Sequence, residues 1–132
     1  MNVLIVDDEP EYSFLTKILL EQHGHTAFLA EDGKEALAVL GGTKIDFIMS
    51  DIYMPRMNGI NFHRAVREIP EYQSMPFLFV SAFDDELTLD AVQNPKIEGF
   101  LKKGRPVNEL MEWIEYLTAP EDRRLSMHPS RQ

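Results

Sequence analysis

Short apolar runs alternate along this chain with longer segments in which apolar residues recur every three or four positions. Five runs have the length and the β-branched or aromatic content of buried strands, although the second is weaker than the others; they span residues 3–6, 25–30, 45–50, 77–80 and 97–102. Five segments have helical periodicity and end near Gly or Pro; they span residues 11–23, 36–42, 59–69, 84–93 and 106–117. Each predicted strand is therefore followed by a predicted helix.

This alternation predicts the class of the fold. Strands that are joined through helices pair in parallel, and the right-handed crossover rule leaves few arrangements at this size. We predict an α/β protein with a doubly wound, five-stranded parallel sheet in the order 2-1-3-4-5, which is the flavodoxin-like (βα)5 fold. In such sheets a ligand site lies at the carboxyl ends of the strands.

Two of the helices carry stripes of large side chains that affect the predicted surface. The first helix has side chains at helical spacing, namely Phe14, Leu15, Ile18, Leu19 and Gln22. The fifth helix has apolar residues on one face, namely Val107, Leu110, Ile114 and Leu117. Trp113 and Tyr116 lie off that face, and we predict that they form part of a dimer or partner surface.

Length, composition and charge narrow the functional classes. The 132 residues fit one domain, which we predict over residues 1–118, with residues 119–132 as a disordered tail or linker stub. The absence of Cys excludes disulfides and thiolate metal sites, and the net charge of -9 argues against direct nucleic-acid binding. No apolar run reaches the ~18–20 residues of a membrane span, and no basic segment precedes the first strand. We therefore expect a cytoplasmic protein with no membrane segment.

Chemically active side chains leave four of the predicted strands at the same edge of the sheet. They are Asp7 and Asp8 after the first strand, Asp51 after the third, Ser81 at the fourth, and Lys102 and Lys103 at the fifth. Each alone has an ordinary explanation, such as a cap, a turn or a solvated surface. Two carboxylates ~4 Å apart repel by roughly 4 kcal/mol at an effective dielectric of about 20, so three require a cation. Oxygen ligands suit Mg²⁺, and an Asp in this setting can be the nucleophile that forms an acyl phosphate.

The motifs that contain these residues resemble those of the receiver domains of bacterial response regulators. The resemblance covers residues 2–117, nearly the whole chain. It rests on Val-Asp-Asp-Glu-Pro at 6–10, Ser-Asp-Ile-Tyr-Met-Pro-Arg-Met-Asn-Gly at 50–59, Ser-Ala at 81–82 and Gly-Phe-Leu-Lys-Lys at 99–103. The second of these runs is very specific, and the set occurs in the family's order.

The resemblance implies a role for each residue. Asp51 would accept a phosphoryl group from a sensor histidine kinase or a histidine phosphotransfer protein, and the chain would be a signalling phospho-acceptor that assists only its own phosphorylation and dephosphorylation. Mg²⁺ would be bound by three carboxylates and one backbone carbonyl, those of Asp7, Asp8, Asp51 and Tyr53. Ser81 and one lysine would contact the phosphoryl oxygens, and Phe100 would be the switch aromatic. The signal would emerge on helix 4, strand 5 and helix 5, where a partner or a second copy would bind.

The chain departs from the family pattern after the fifth strand. The family's lysine is usually followed by Pro, whereas here Gly104 follows Lys103. Family spacing, three residues after the aromatic, selects Lys103 over Lys102. Because a cis bond before a non-proline residue costs ~2.5–4 kcal/mol, we predict a trans bond between Lys103 and Gly104, with an unusual φ at Gly104.

Three smaller departures affect the switch region. Phe100 replaces the usual Tyr and cannot donate a hydrogen bond, and Ser81 replaces the commoner Thr. The Asn-Pro pair at 94–95 interrupts the run before the fifth strand, which indicates a short or irregular fourth helix.

Three alternatives compete with the receiver interpretation. A pseudo-receiver would bind partners without phosphorylation, and the missing Lys-Pro pair keeps this alternative open. An Asp-nucleophile phosphatase of the dehalogenase type also has an Asp at a strand tip, but requires a second Asp two residues later, where this chain has Tyr53. A nucleotide-binding module is disfavoured because the chain has neither Gly-x-Gly-x-x-Gly nor Gly-x-x-x-x-Gly-Lys.

Overall fold

The computed structural model describes residues 1–120, Asp122 and Pro129, so most of the predicted tail lies outside the described residues. Its strands are β1 Asn2–Val6, β2 Thr26–Ala30, β3 Phe47–Ser50, β4 Phe77–Ser81 and β5 Glu98–Lys102. Its helices are α1 Pro10–Gln22, α2 Gly33–Gly42, α3 Gly59–Glu68, α4 Glu86–Leu89 and α5 Val107–Thr118, with a short 3-10 helix at Pro70–Tyr72. Within this part of the chain no helix has the length and apolarity needed to cross a membrane.

The sheet has the predicted topology. Its strands are all parallel and lie in the order β2-β1-β3-β4-β5, so the doubly wound α/β fold is confirmed. Alternate residues of β1 enter different layers of the core: Val3 and Ile5 pack with α1 and α5, whereas Leu4 and Val6 pack with α2 and α3. Both faces of the sheet are therefore covered, which explains why its strands are continuous apolar runs.

The buried face of α1 is not its stripe of large apolar side chains. Phe14 and Leu15 are 58% and 60% exposed, and Ile18 also lies at the surface. The inward positions are three and four residues apart, and they are Ser13, Thr16 and Leu20. The hydroxyl of Ser13 donates to the carbonyl of Asp7, before the helix, and that of Thr16 to the carbonyl of Tyr12, so these small polar side chains can be buried without an unpaired group. Phe14, Leu15 and Ile18 of α1 therefore face the solvent.

Helix α4 is shorter than the predicted span of 84–93. It covers only four residues and is preceded by Asp85, whose carboxylate caps its first turn by accepting a hydrogen bond from the N–H of Thr88. The following segment is held by Glu98, whose Oε1 accepts hydrogen bonds from the backbone N–H groups of Gln93 and Asn94, both at 2.9 Å. Because those N–H groups bond to a side chain instead of to carbonyls one turn earlier, the helix cannot continue through them.

Trp113 and Tyr116 belong to the core, so the prediction that they form a dimer or partner surface is wrong. They are 8% and 6% exposed, and their rings meet edge to face with centroids 5.8 Å apart. Gly99 in β5 makes room for the indole, since a Cβ at this position would lie 2.2 Å from Cζ3 of Trp113. Val107, which was predicted on the inward face, is instead exposed.

Candidate functional site

Neighbouring strands bring the predicted carboxylates together at the carboxyl edge of the sheet. The backbone N–H of Asp7, after β1, donates to the carbonyl of Ala30 at 3.0 Å, and that of Asp51, after β3, donates to the carbonyl of Val6 at 2.8 Å. Both residues thus extend the ladder of the sheet, which fixes the points from which their side chains start. Asp7 and Asp51 are buried, whereas Asp8 is exposed to solvent.

The loop after Asp51 returns tightly onto it through Gly59. The backbone N–H of Gly59 donates to the carbonyl of Ile52 at 2.8 Å. A Cβ at Gly59 would lie 2.0 Å from the carbonyl oxygen of Asp51, so only glycine allows this approach. The preceding Asn58 caps α3, because its side chain accepts a hydrogen bond from the N–H of Asn61. The Asn-Gly pair therefore both closes the loop after Asp51 and starts the next helix.

The three carboxylates suit a divalent cation. One oxygen from each of Asp7, Asp8 and Asp51 lies within 4.8 Å of the others. Hard oxygen donors in small number match the preference of Mg²⁺, which keeps several waters and binds phosphate oxygens readily. Asp8 opens the group to solvent, which can supply those waters. The residues present therefore fit Mg²⁺, and the backbone carbonyl of Tyr53 stands two residues beyond Asp51 in the same loop.

Burial makes the negative charge of Asp7 unfavourable in the absence of a cation. Burial raises the pKa of Asp7 to about 6, and the charge of Asp51 adds to the rise. The contact with Lys103 and the hydrogen bond from the N–H of Glu9 act in the opposite direction. A bound metal ion favours the ionised form of such a carboxylate, so it would stabilise the negative charge of the cluster.

Lys103 brings one positive charge into the cluster from the end of β5. Its Nζ lies 2.7 Å from Oδ2 of Asp7, 2.7 Å from Oε1 of Glu9 and 3.0 Å from Oδ2 of Asp51. The lysine side chain is only 9% exposed. Burial by itself lowers the pKa of Lys103, but its hydrogen bonds with the three carboxylates raise that pKa well above its usual range. The ammonium therefore stays charged at neutral pH.

The turn after β5 has the geometry predicted for Lys103 and Gly104. Lys102 pairs instead with exposed Asp84, at 3.7 Å, so Lys103 is the lysine beside the carboxylates. The described part of the chain has no cis peptide bond, which makes the bond between Lys103 and Gly104 trans, and Gly104 has a φ of 89°. This left-handed conformation turns the chain immediately after the lysine.

Ser81 and Phe100 lie on β4 and β5, the two strands beyond β3 in the sheet. Ser81 is fully buried; its hydroxyl accepts from the N–H of Phe83 at 3.3 Å, and its carbonyl accepts from the N–H of Lys103 at 2.9 Å. Phe100 is half-buried and stands opposite Phe79 in the sheet. Ser81 is thus joined through its backbone to Lys103, whose side chain contacts the carboxylates.

Tyr53 joins the loop after Asp51 to the loop before α4. Its backbone N–H lies 3.4 Å from Oδ1 of Asp51, and its hydroxyl donates to Asp85. Its ring meets Phe83 edge to face, with centroids 5.5 Å apart. The sequence predicted a role only for the carbonyl of Tyr53, because no spacing relates position 53 to positions 83 and 85.

Two residues at the site were missed by the sequence reasoning, Glu9 and Tyr12. Glu9 contacts Lys103, and the Nζ of Lys103 also lies 4.6 Å from the ring centroid of Tyr12. The run of three acidic residues at 7–9 was a signal for Glu9. Tyr12 gave no such signal, since its meeting with Lys103 depends on the tertiary placement of α1 relative to the turn after β5.

Comparison with known proteins gives consistent matches. The chain matches the response regulator receiver domain family over residues 3–115. It is 32% identical over 115 residues to an uncharacterised 14.6 kDa protein of Leptolyngbya boryana, covering 87% of this chain and 88% of that protein. It spans only 17% to 35% of several longer curated relatives.

Two solved structures are similar to the whole domain. The chemotaxis protein CheY4 of Vibrio cholerae is 28% identical with a TM-score of 0.81, covering 88% of this chain and 97% of that one. The response regulator protein TrrA of Thermotoga maritima, solved in complex with Mg(2+)-BeF, is 26% identical with a TM-score of 0.75 and the same two coverages.

Proposed function

This chain belongs to the response regulator receiver domain family, and on that basis we propose that it is a phospho-acceptor switch of a two-component phosphorelay, with Asp51 as the phosphorylated residue. The observation that carries the proposal is the position of buried Asp51. It lies in a cluster of three carboxylates suited to Mg²⁺, and its Oδ2 is 3.0 Å from the Lys103 ammonium. A carboxylate can accept a phosphoryl group only if the charge that gathers there is neutralised. The chain would act as a signalling protein that assists only its own phosphorylation and dephosphorylation.

Each side chain has a definable part in the proposed transfer. An oxygen of Asp51 forms the new P–O bond while the P–N bond of the donor's phosphohistidine breaks, and the electron pair of that bond stays on the imidazole nitrogen. Oδ1 of Asp51 accepts a hydrogen bond from the N–H of Ile52 at 2.7 Å, so the carboxylate is oriented before the donor arrives. The ammonium of Lys103 and the hydroxyl of Ser81 would contact the phosphoryl oxygens.

Four groups are proposed to hold Mg²⁺: the carboxylates of Asp7, Asp8 and Asp51 and the backbone carbonyl of Tyr53. When bound, Mg²⁺ supplies a Lewis acid that neutralises phosphoryl oxygens. The proposal is supported by the close grouping of the three carboxylates and by the similarity to TrrA, which was solved with Mg(2+)-BeF. Exposed Asp8 would leave the metal position open to solvent and to the donor.

The donor is proposed to be a phosphohistidine on a sensor kinase or phosphotransfer protein. A cavity of about 390 Å³ beside Asp8 is lined in part by Phe14 and Leu29, both of which are exposed. Leu15 and Ile18 extend the apolar surface along α1. Exposed apolar groups that adjoin one another commonly mark a protein contact. This apolar surface adjoins Asp7 and Asp8, which are clustered with Asp51.

The response is proposed to appear on α4, β5 and α5, as a surface for a partner or a second copy of the chain. Leu87 and Leu89 of α4 are exposed, and half-buried Phe100 can change its packing when the site is phosphorylated. These residues replace Trp113 and Tyr116, which are buried, as the candidates for contact. Direct binding of nucleic acid is not part of the proposal, because the net charge is -9.

Labelling with a small phosphodonor tests the proposed acceptor. Acetyl phosphate and Mg²⁺ should add one phosphoryl group to the wild type, seen by intact mass, and the adduct should be acid-stable and base-labile. Asp51→Asn should abolish this adduct, whereas Asp84→Asn, which changes an exposed Asp, should keep it. Equal labelling of Asp51→Asn would contradict the assignment. No labelling of the wild type would favour the pseudo-receiver, which the Gly after Lys103 keeps as the second candidate.

A further inference from the structure

We propose that Glu9 and the ring of Tyr12 form an outer lysine position, a second place for the Lys103 ammonium beside the metal carboxylates but outside them. Glu9 and Tyr12 would then be positioning residues, which keep Lys103 close to Asp51 when Mg²⁺ is bound. This inference rests on the proposed function, because it concerns the state in which that function operates.

Lys103 has as many carboxylate partners as its ammonium has N–H donors. An ammonium has three such donors, and Nζ contacts Asp7, Glu9 and Asp51 at 2.7, 2.7 and 3.0 Å. The ring centroid of Tyr12 is 4.6 Å away, within the range of a cation–π contact. Two of these partners, Asp7 and Asp51, belong to the proposed metal site. Glu9 and Tyr12 do not.

Lys103 contacts the Oδ2 atom of each buried carboxylate of the proposed metal site, whereas the Oδ1 atoms accept hydrogen bonds from the backbone. Oδ1 of Asp7 accepts from the N–H of Glu9 at 2.9 Å, and Oδ1 of Asp51 accepts from the N–H of Ile52 at 2.7 Å. These backbone donors cannot leave without deforming their loops. Within the described part of the chain, the Oδ2 atoms of both acids contact only the ammonium, which can move because the lysine side chain is flexible. A cation that binds these Oδ2 atoms must displace the ammonium, which it also repels.

Glu9 and Tyr12 give the displaced ammonium a position within reach. The side chain of Glu9 is 61% exposed, so it can follow the ammonium by a change of rotamer. Tyr12 is half-buried and packed against the core, so its ring is a fixed surface. Once Lys103 has lost two carboxylates, its interaction with Glu9 should become stronger than before. Glu9 should therefore raise the affinity for Mg²⁺ through Lys103, in addition to any direct effect of its own charge.

A double-mutant cycle separates these two effects of Glu9. The Mg²⁺ dissociation constant is measured by two-dimensional NMR titration for the wild type, Glu9→Gln, Lys103→Met and the double variant. Glu11→Gln is the matched control, because Glu11 is an exposed acid in the first turn of α1, two residues after Glu9. Thermal melting of each variant confirms that it is folded.

Glu9→Gln should weaken Mg²⁺ binding about fivefold, which is near the upper end of the effects typical of an ion pair with one exposed member. Glu11→Gln should weaken Mg²⁺ binding by less than about twofold. In the Lys103→Met background the same change at Glu9 should have less than about a twofold effect. Equal effects of Glu9→Gln in both backgrounds would overturn the inference, since Glu9 would then act by its charge alone.

The ring of Tyr12 has its own test. Tyr12→Phe keeps an aromatic face for the ammonium and should bind Mg²⁺ like the wild type. Tyr12→Leu removes that face and should weaken Mg²⁺ binding about threefold. If Tyr12→Phe and Tyr12→Leu bound Mg²⁺ equally well, the ring would have no part in the outer lysine position.

Acetyl phosphate labelling of the wild type shows which proposal has failed if one does. A labelled wild type with an additive cycle would overturn the outer lysine position and leave the proposed function intact. A coupled cycle in a protein that cannot be labelled would support the outer lysine position as a feature of the metal site, while the proposed function would fail.

Discussion

Replacing Glu98 by Gln would test how one buried carboxylate organises the region around α4. Oε2 of Glu98 accepts hydrogen bonds from Nε2 of His63 at 2.6 Å and from Nε and Nη2 of Arg67 at 3.0 and 2.9 Å. Oε1 accepts from the N–H groups of Gln93 and Asn94. Glu98 is 3% exposed, so water cannot take over these bonds. A glutamine there would turn its own NH₂ group toward some of the donors.

The size of the effect follows from the pKa of the carboxyl. Burial by itself raises the pKa of Glu98, but the hydrogen bonds from His63 and from the N–H groups of Asn94 and Gln93 lower it to about 2 from 4.5. That difference corresponds to roughly 3 kcal/mol of stability. Removing one partner of a buried ionic group typically costs ~3–5 kcal/mol, which agrees. Glu98→Gln should therefore lower the free energy of unfolding by roughly 3 kcal/mol at neutral pH.

Urea unfolding at several pH values provides the assay. Because the pKa of Glu98 is depressed in the fold, its contribution is complete above pH 4.5 and is lost as the pH falls toward 2. The difference between wild type and Glu98→Gln should shrink by about 2 kcal/mol between about pH 5 and pH 3. Glu115→Gln, at an exposed position of α5, is the control. A difference below about 1 kcal/mol at neutral pH, or one independent of pH, would refute the reasoning.

Two glycine substitutions test close approaches in the fold. Gly99→Ala puts a Cβ 2.2 Å from the ring of Trp113 and should lower the free energy of unfolding in urea by about 1–3 kcal/mol. The control is Gly41→Ala, which has nothing within 4 Å of its Cβ and should be neutral or stabilise the fold by up to about 1 kcal/mol. Equal changes in the free energy of unfolding for the two variants would contradict the packing of Gly99 against Trp113. Gly59→Ala puts a Cβ 2.0 Å from the carbonyl oxygen of Asp51. It should slow labelling by acetyl phosphate at least about tenfold, because it displaces the loop that carries Asp51. Labelling of Gly59→Ala at the wild-type rate would show that the close approach at Gly59 does not constrain that loop.

The sheet and its order could be predicted because β1, β3 and β4 are apolar on both sides, which is the local sign of strands covered by helices. Most boundaries then differ from the prediction by only one or two residues, as is usual at element ends. The meeting of Asp7, Asp8 and Asp51 followed from the topology alone, because parallel strands end at a common edge. Their proposed roles followed from the motifs and remain to be tested.

Burial could not be predicted where it depends on a residue far away in the sequence. Trp113 is buried because Gly99, on another element, leaves space for its ring. The predicted helix over 84–93 cannot reach its predicted end, because the N–H groups of Gln93 and Asn94 bond to the carboxylate of Glu98 in the next strand. On α1, Ser13 is buried while Phe14 is exposed, an outcome that apolarity and spacing cannot give. In each case the deciding contact is tertiary.

The loop after Lys103 shows how the site can do without the proline that the family pattern places there. Gly104 leaves the backbone free at that point, so the lysine is fixed mainly at its far end, where Nζ meets three carboxylates. Ordering a lysine side chain costs up to about 2 kcal/mol, which charge-assisted hydrogen bonds of ~1.5–3 kcal/mol each can offset. The contacts with Asp7 and Asp51 hold the Lys103 side chain less firmly once a cation or a phosphoryl group neutralises those two carboxylates. A proline would keep constraining the backbone in that state. Within the described residues, the partners of the ammonium outside the metal site are Glu9 and Tyr12, so the coupling between Glu9 and Lys103 should be measurable.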